Sequence, residues 1–292
     1  MNRVVNGAFL KGPGGDLLPI FCKTSMSTDI SSRQHLIMDY IREHGSVQVD
    51  QLSNHLRVTP QTIRRDLNQL YEQQLLQRVH GGAVVKDNVE NLGYGARKIL
   101  MREEKSEIAR RAAELLPDNS SLFINIGTTT ERVAGYLYDR GGMLVITNNI
   151  NVASMLWPAP GLDVMITGGA IRRSDGGIVG SSAEEFIDNF KVDYAIIGCS
   201  AIDSEGEFFD FDLKEVRVTR AIIQHARSVI LVTDSMKFER RAPIRIAAFS
   251  AIETLVTDDG IPEHAIQLCR EHDVNLEIIA RDQAGEKLAG SA

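Results

Sequence analysis

Cysteine is scarce in this chain: three in 292 residues, at positions 22, 199 and 269. None belongs to a CxxC pair or a Cys/His cluster, so neither a disulfide framework nor a structural zinc site is expected. Cys199 lies in an apolar stretch and reads as a small buried hydrophobe rather than a nucleophile. Such cysteine usage fits a reducing cytoplasm. Long apolar runs are missing too. None approaches the roughly 18–20 residues of a membrane span, so no membrane partner is expected. There is no GxGxxG and no GxxxxGK[ST], which argues against dinucleotide and nucleoside triphosphate sites. No metal, cofactor or catalytic residue is therefore assigned. A hydrophobic content of 43% and a charged content of 24% are those of a globular protein with room for a sizeable core.

Charge is unevenly placed. The net value is −7, yet residues 1–86 hold ten Lys/Arg against seven Asp/Glu, and residues 87–292 hold 22 against 32. An acidic body with a slightly basic head suits a DNA-binding module on a sensor domain. Residues 1–26, interrupted by Gly7, Gly12, Pro13, Gly14, Gly15 and Pro19, are expected to be an extension without fold elements, with Met26 the expected natural start. Residues 282–292 read as an unstructured tail.

Residues 27–86 carry the pattern of a winged helix-turn-helix. Leu36, Ile37, Tyr40 and Ile41 make one apolar helical stripe, and Val49, Leu52 and Leu56 a second short helix after Gly45-Ser46. Arg57-Val58 is the turn into a third helix. Thr59 is a good N-cap for it, and Pro60 suits the first position, where no backbone N–H is needed. Ile63, Leu67 and Leu70 form its core stripe, which leaves Gln61, Thr62, Arg64, Arg65 and Asn68 to point outward. Leu75 to His80 reads as a strand, Gly81-Gly82 as a hairpin turn and Ala83 to Val85 as the return. Double-stranded operator DNA is the expected partner. Gln61, Thr62 and Arg65 are the candidates for base contacts, with Arg64, Arg78 and His80 for the backbone and Thr59 and Asn68 alongside.

Arg33, Ile37, Ile41, Thr59, Thr62-Ile63-Arg64-Arg65-Asp66-Leu67 and the His80-Gly81-Gly82-Ala83 wing together resemble the helix-turn-helix of the DeoR-type bacterial repressors. The resemblance continues through nearly the whole chain. It implies a transcriptional repressor, a homo-oligomer of dimeric or tetrameric kind, and a small-molecule effector.

After a linker over 87–106, residues 107–281 alternate strands and helices. Continuous apolar strands are expected at Leu122–Ile126, Met143–Thr147, Val164–Ile166, Tyr194–Ile197, Val229–Val232, Thr254–Val256 and Leu276–Ile279. The fold class is α/β, with a mostly parallel sheet covered on both faces. Ligands of such sheets bind at the carboxyl ends of the strands. Donor-rich and glycine segments sit there: Gly127-Thr128-Thr129-Thr130, Thr147-Asn148-Asn149, Thr167-Gly168-Gly169 and Gly176-Gly177. Backbone amides and hydroxyls at a helix start suit a phosphate, and Lys237 adds a point charge.

These segments resemble the C-terminal sensor domain of the DeoR type, which is similar in fold to ribose-5-phosphate isomerase. The resemblance implies a sugar- or polyol-phosphate effector, with the Gly127–Thr130 loop and Lys237 as contacts. Asn125 stands where many members carry Asp. The isomerases have a Gly-Ala-Asp-Glu segment where this chain has Gly198-Cys199-Ser200-Ala201, so the acid pair is missing and isomerisation is the lesser reading. Phe209 to Arg217, Arg172 to Gly177 and Thr147 to Ala153 resemble the glycerol-phosphate-responsive members of the family. sn-Glycerol 3-phosphate is accordingly the expected effector, with a ketohexose phosphate the alternative. Asp210 and Glu215 are candidates to accept from its hydroxyls, while Asp212 is open between that role and capping a helix. Arg97, Lys98 and Lys105 match basic family positions that serve either DNA phosphates or the sensor domain.

Overall fold

The computed structural model describes residues 9–11, 17–19, 31–44, 46–72, 75–79, 82–85 and 94–280. Within the segment expected to lack elements, β1 (Phe9–Lys11) pairs antiparallel with β2 (Leu17–Pro19). That corrects the expectation. Two three-residue apolar pieces, too short to read as elements alone, become strands by pairing with each other.

The head contains α1 (Ser32–His44), β3 (Ser46–Gln48), α2 (Val49–His55), α3 (Pro60–Glu72), β4 (Leu76–Val79) and β5 (Gly82–Val85). Ile37, Met38, Ile41, Leu52, Ile63, Leu67 and Leu70 are buried together as its core. Leu36, expected in the stripe, is 54% exposed, and Met38 takes the inward place. The wing also differs from expectation. It has three strands in the order β3-β5-β4, because Ser46–Gln48 adds an edge to the hairpin. Gly82 is a strand residue paired with Val79 rather than part of the turn.

The connection contains two helices, α4 (Tyr94–Ile99) and α5 (Arg102–Glu114). α5 therefore starts before the expected helix at Ile108. Between them Met101 adopts a left-handed backbone, with φ 53°.

The body continues with β6 (Ser121–Ile124), α6 (Thr128–Gly135), β7 (Met143–Thr147), α7 (Ile150–Leu156), β8 (Leu162–Ile166), the small hairpin β9 (Ala170–Ile171) and β10 (Ile178–Val179), and α8 (Ser181–Ile187). β11 (Val192–Ile197), β12 (Ala201–Ile202), β13 (Glu207–Asp210), α9 (Leu213–Gln224), β14 (Ala226–Val232), β15 (Ile244–Ala248), β16 (Thr254–Asp258), α10 (Glu263–Glu271) and β17 (Asn275–Ile279) follow. Seven strands form one sheet in the order β17-β16-β14-β11-β6-β7-β8, and every neighbouring pair is parallel. These are the seven strands expected from the apolar runs.

Successive strand side chains point to opposite faces. Leu122, Ile124, Ile196, Ile230 and Val232 pack with Ile108, Ala112, Val133 and Val152 of α5, α6 and α7. Phe123, Ala195, Ile197 and Leu231 pack with Ala183, Val216, Ile222 and Ala265 of α8, α9 and α10. From β6 the chain builds outward through β7 and β8, then returns to place β11 on the other side of β6. The crevice beyond the carboxyl ends of β6 and β11 is thus a topological switch point, where open parallel sheets bind ligands.

Candidate functional site

Two surfaces carry the chemistry. On the head, the Thr59 hydroxyl accepts from the Thr62 amide at 3.3 Å and meets the Thr62 hydroxyl at 2.9 Å. Thr59 is the expected cap of α3, and Pro60 its first residue. Gln61, Arg64, Arg65 and Asn68 are exposed and Thr62 is half-buried, so α3 presents the expected row. Only the backbone of Arg78 is described, and His80 lies outside the described residues. Arg33 donates to Asp66 from Nε at 2.6 Å and from Nη2 at 3.2 Å. Gln34 donates to Gln69 at 2.6 Å. These two contacts lock α1 to α3. They account for a buried acid, Asp66, within a basic row.

The second surface is a cavity at the switch point. It is lined by Ile126 to Thr130 after β6, Gly198 to Ser200 after β11, and Val232 and Thr233 at the end of β14, with Asp210, Glu215, Lys237, Arg97 and Lys105 around them. The space between atoms there is about 420 Å³, part of it open to solvent.

Gly127 opens α6 with φ 155°, a backbone that L side chains rarely adopt, and a Cβ there would meet the Thr130 hydroxyl at 3.1 Å. The first amides of a helix have no intrahelical acceptor and carry the positive end of its dipole. Thr130 lines the cavity but spends its hydroxyl inward, on the carbonyls of Asn125 (2.7 Å) and Gly127 (2.9 Å). Its contribution is to shape the loop. Asn125 is buried, donates to Thr219 at 2.8 Å and accepts from the Ile126 amide at 2.7 Å. An amide can do both, which an ionised Asp could not.

Four expected contact residues do not line the cavity. Asn149 accepts from the Asn151 amide as the cap of α7 and donates to Glu131 at 2.9 Å. Asn148 donates to the Ile178 carbonyl at 3.2 Å. Gly168 and Gly169 are exposed, and a Cβ on Gly169 would meet Ile178 at 2.9 Å. The strands β7 and β8 that precede these segments lie on the far side of β6, away from β11. Sequence alone shows that a loop follows a strand, not which strands end beside one another.

The acidic candidates divide as well. Asp210 accepts from the Ser200 hydroxyl at 3.1 Å. Asp212 caps α9 through the Lys214 amide at 2.8 Å and takes Arg172 at 2.9 Å. Glu215 pairs with Arg172 at 2.5 Å. Burial first, then the neighbouring charge of Asp210, pushes the Glu215 carboxyl up to about 7. Arg172 also holds Asp175 at 2.6 Å within the β9–β10 hairpin, and its contacts with Asp212 and Glu215 tie that hairpin to α9 at the edge of the cavity.

Three cations face this space. Lys237 is 8% exposed and its pKa is lowered by burial. Lys105 is 3% exposed, and burial pushes it down to about 7 against the pull of Asp234, 3.6 Å away. Arg97 reaches in from α4 and touches Asp175 at 3.4 Å. Arg97 and Lys105 both line the cavity of the body. Nothing in the sequence ties a linker residue such as Arg97 to a strand end 30 positions on. Cys199 also lines the cavity. Its thiol is pushed up to about 12 by burial, which makes it a poor nucleophile. Among the described residues, no cluster of three His, Cys, Asp or Glu could hold a metal ion, and no helix is long and apolar enough to cross a membrane.

Residues 33–89 match the family described as the DeoR-like helix-turn-helix domain, and residues 101–259 match the DeoR C terminal sensor domain. The glycerol-3-phosphate regulon repressor of Escherichia coli strain K12 is 41% identical over 248 residues, covering 85% of this chain and 98% of that protein. The repressor of the same name from Haemophilus influenzae is 41% identical over 246 residues, with 84% and 96% covered. The E. coli K12 transcriptional repressor CsqR is 38% identical over 247 residues, with 85% and 94% covered. Among solved structures, ribose 5-phosphate isomerase from Plasmodium falciparum overlaps 47% of this chain and 53% of its own, at 13% identity and a TM-score of 0.36. No activity is carried across that partial likeness. Head, body and relatives agree: the chain belongs to the DeoR family of helix-turn-helix transcriptional repressors.

Proposed function

We propose that this repressor controls genes of glycerol and glycerol-3-phosphate catabolism and leaves its operator when sn-glycerol 3-phosphate fills the switch-point cavity. The observation that carries this reading is the polarity of the cavity. Arg97, Lys105, Lys237 and the start of α6 gather positive charge, while Asp210 and Glu215 supply acceptors. A small molecule with an anion at one end and hydroxyls at the other matches that arrangement. The names borne by the relatives from E. coli and H. influenzae support the choice of glycerol phosphate within that class.

On the DNA side, α3 would lie in the major groove of a near-palindromic operator read by a homo-oligomer. To release DNA, the effector must bind the released state better than the DNA-competent one, by several kcal/mol for a near-complete switch.

The test is fluorescence anisotropy of a labelled operator-like duplex, titrated with sn-glycerol 3-phosphate at fixed salt. Release by glycerol phosphate, but not by glycerol or fructose 1-phosphate, is the expected result. Release by fructose 1-phosphate alone would replace the effector and keep the repressor. A duplex bound but never released by any phosphate ester would remove the effector reading.

A further inference from the structure

The parallel sheet has two edges, and they are not alike. β17 closes one side and carries Asn275 and Glu277, and Glu277 accepts from Arg111 of α5 at 3.0 Å. Charged side chains on an edge strand deter pairing with another chain. β8 closes the other side. Its one charged residue is Asp163, and it ends in Val164, Met165 and Ile166. No strand among the described residues pairs with its outer edge, since β9 pairs with β10 instead.

Exposed apolar surface gathers along this edge. Half of the large apolar side chains that stand exposed among the described residues come from one stretch: Met155, Trp157, Met165, Ile166 and Ile171. Trp157, which follows α7, is 72% exposed. Met165 and Ile166 point to opposite faces of the strand, and both are exposed. α7 packs against β8, so tryptophan and strand belong to one side of the body. Together these side chains leave several hundred Å² uncovered, the scale at which an apolar patch marks an interaction site. The connection adds nothing to it: Leu100 is 4% exposed and packs into the core of the head with Ile37, Ile41, Leu52, Ile63 and Leu67.

We infer that the free edge of β8 is where a second copy of this chain docks, the two β8 strands pairing antiparallel across a two-fold axis at Val164. This rests on the homo-oligomer reading above, and not on which effector fills the cavity. A two-fold contact must be complementary to itself, and β8 meets that condition. With the axis at Val164, Leu162 stands opposite Ile166 of the second copy, and Asp163 opposite Met165. The two Asp163 carboxylates are thus kept from facing one another directly, an arrangement that destabilises a strand pair. Trp157 lies five residues before Leu162, at the amino end of β8. The pairing brings it to the end of the other strand, where Ile166 and Ile171 are exposed. It gives the main-chain groups of both edges partners and covers apolar side chains in the same step. Two reading helices related by such an axis suit a near-palindromic operator.

The experiment uses the full chain without effector across a dilution series. It reads mass by sedimentation equilibrium and the emission of Trp157, the single tryptophan of the chain. In the wild type, emission should move to shorter wavelength as the chain associates. Met165→Arg and Ile166→Arg each enter the contact twice, once from each copy. Each should raise the concentration for half-association by about a hundredfold or more, halve the mass of the assembly, and leave Trp157 emission at its water-exposed wavelength. Far-UV circular dichroism should be unchanged, because both positions are exposed. Ile278→Arg, on the opposite edge, is the control and should associate as the wild type does. If Met165→Arg and Ile166→Arg keep the mass and emission of the wild type, the inference falls and the oligomer reading stands with its interface elsewhere. If the wild type is a single chain at every concentration, both fall, and the edge is left to a strand of another protein.

Discussion

At the scale of single residues, the two buried groups near neutrality set the pH response. Glu215 titrates at about 7 against an ordinary 4.5, so the folded chain holds more protons than the unfolded one between those values. Folding stability from this group therefore falls as pH rises from about 4.5 to 7. Lys105 titrates at about 7 against 10.5, so the unfolded chain holds more protons above 7 and stability from this group rises with pH in that window. For binding, both changes act in one direction. Above pH 7 the cavity loses a positive charge at Lys105 and gains a negative one at Glu215. A phosphate monoester is already close to dianionic there, its second pKa being about 6. Affinity for sn-glycerol 3-phosphate is expected to fall between about pH 7 and 8.5 in calorimetric titrations; a flat or rising profile would contradict this charge account. On the DNA face, Arg65→Ala should lose about 1–3 kcal/mol of preference for operator over a scrambled duplex and keep effector binding. Full operator preference in that variant would reject the docking of α3 described here.

At the scale of elements, what the sequence displays depends on how local the cause is. The seven parallel strands were legible because each is a continuous apolar run, and the start of α3 because Thr59 and Pro60 act within one turn. The Thr59 cap should be worth about 1 kcal/mol, measurable as a lower midpoint for Thr59→Ala in urea denaturation. The third wing strand was not legible, since Ser46–Gln48 is three residues long and becomes a strand only by pairing with Gly82–Val84. Likewise, Asn148 and Asn149 resemble ligand donors in sequence, and only the strand order shows that they lie past the cavity. Thr128 and Lys237 could be found by chemistry and position. Arg97 could not, because its place depends on how α4 docks. The Arg33–Asp66 clamp joins residues 33 positions apart. Its loss in Arg33→Ala should weaken all duplexes alike, operator and scrambled, since it aims the helix without reading a base.

At the scale of the whole molecule, residues 1–86 hold ten basic and seven acidic residues, and residues 87–292 hold 22 and 32. Operator affinity should therefore come from a local patch and fall steeply with salt. The slope of log K against log salt, measured with and without sn-glycerol 3-phosphate, is expected to be shallower when effector is bound, if the released heads no longer meet the phosphates together. An unchanged slope would mean that the effector acts without moving the heads off the backbone.

Leu100 has one further consequence. It completes the hydrophobic interior of the reading head although it lies eleven residues beyond the end of the matched helix-turn-helix segment at 89. A chimera that exchanges heads between relatives at that natural-looking seam would pair each transplanted head with a leucine chosen for another interior. Fully burying a leucine stabilises a fold by about 1.5–3 kcal/mol, a large share of what a domain of that size has to spare. The head of this chain is thus completed by a residue just after α4, outside both matched segments. A functional recombination point is expected after Met101 rather than before Tyr94.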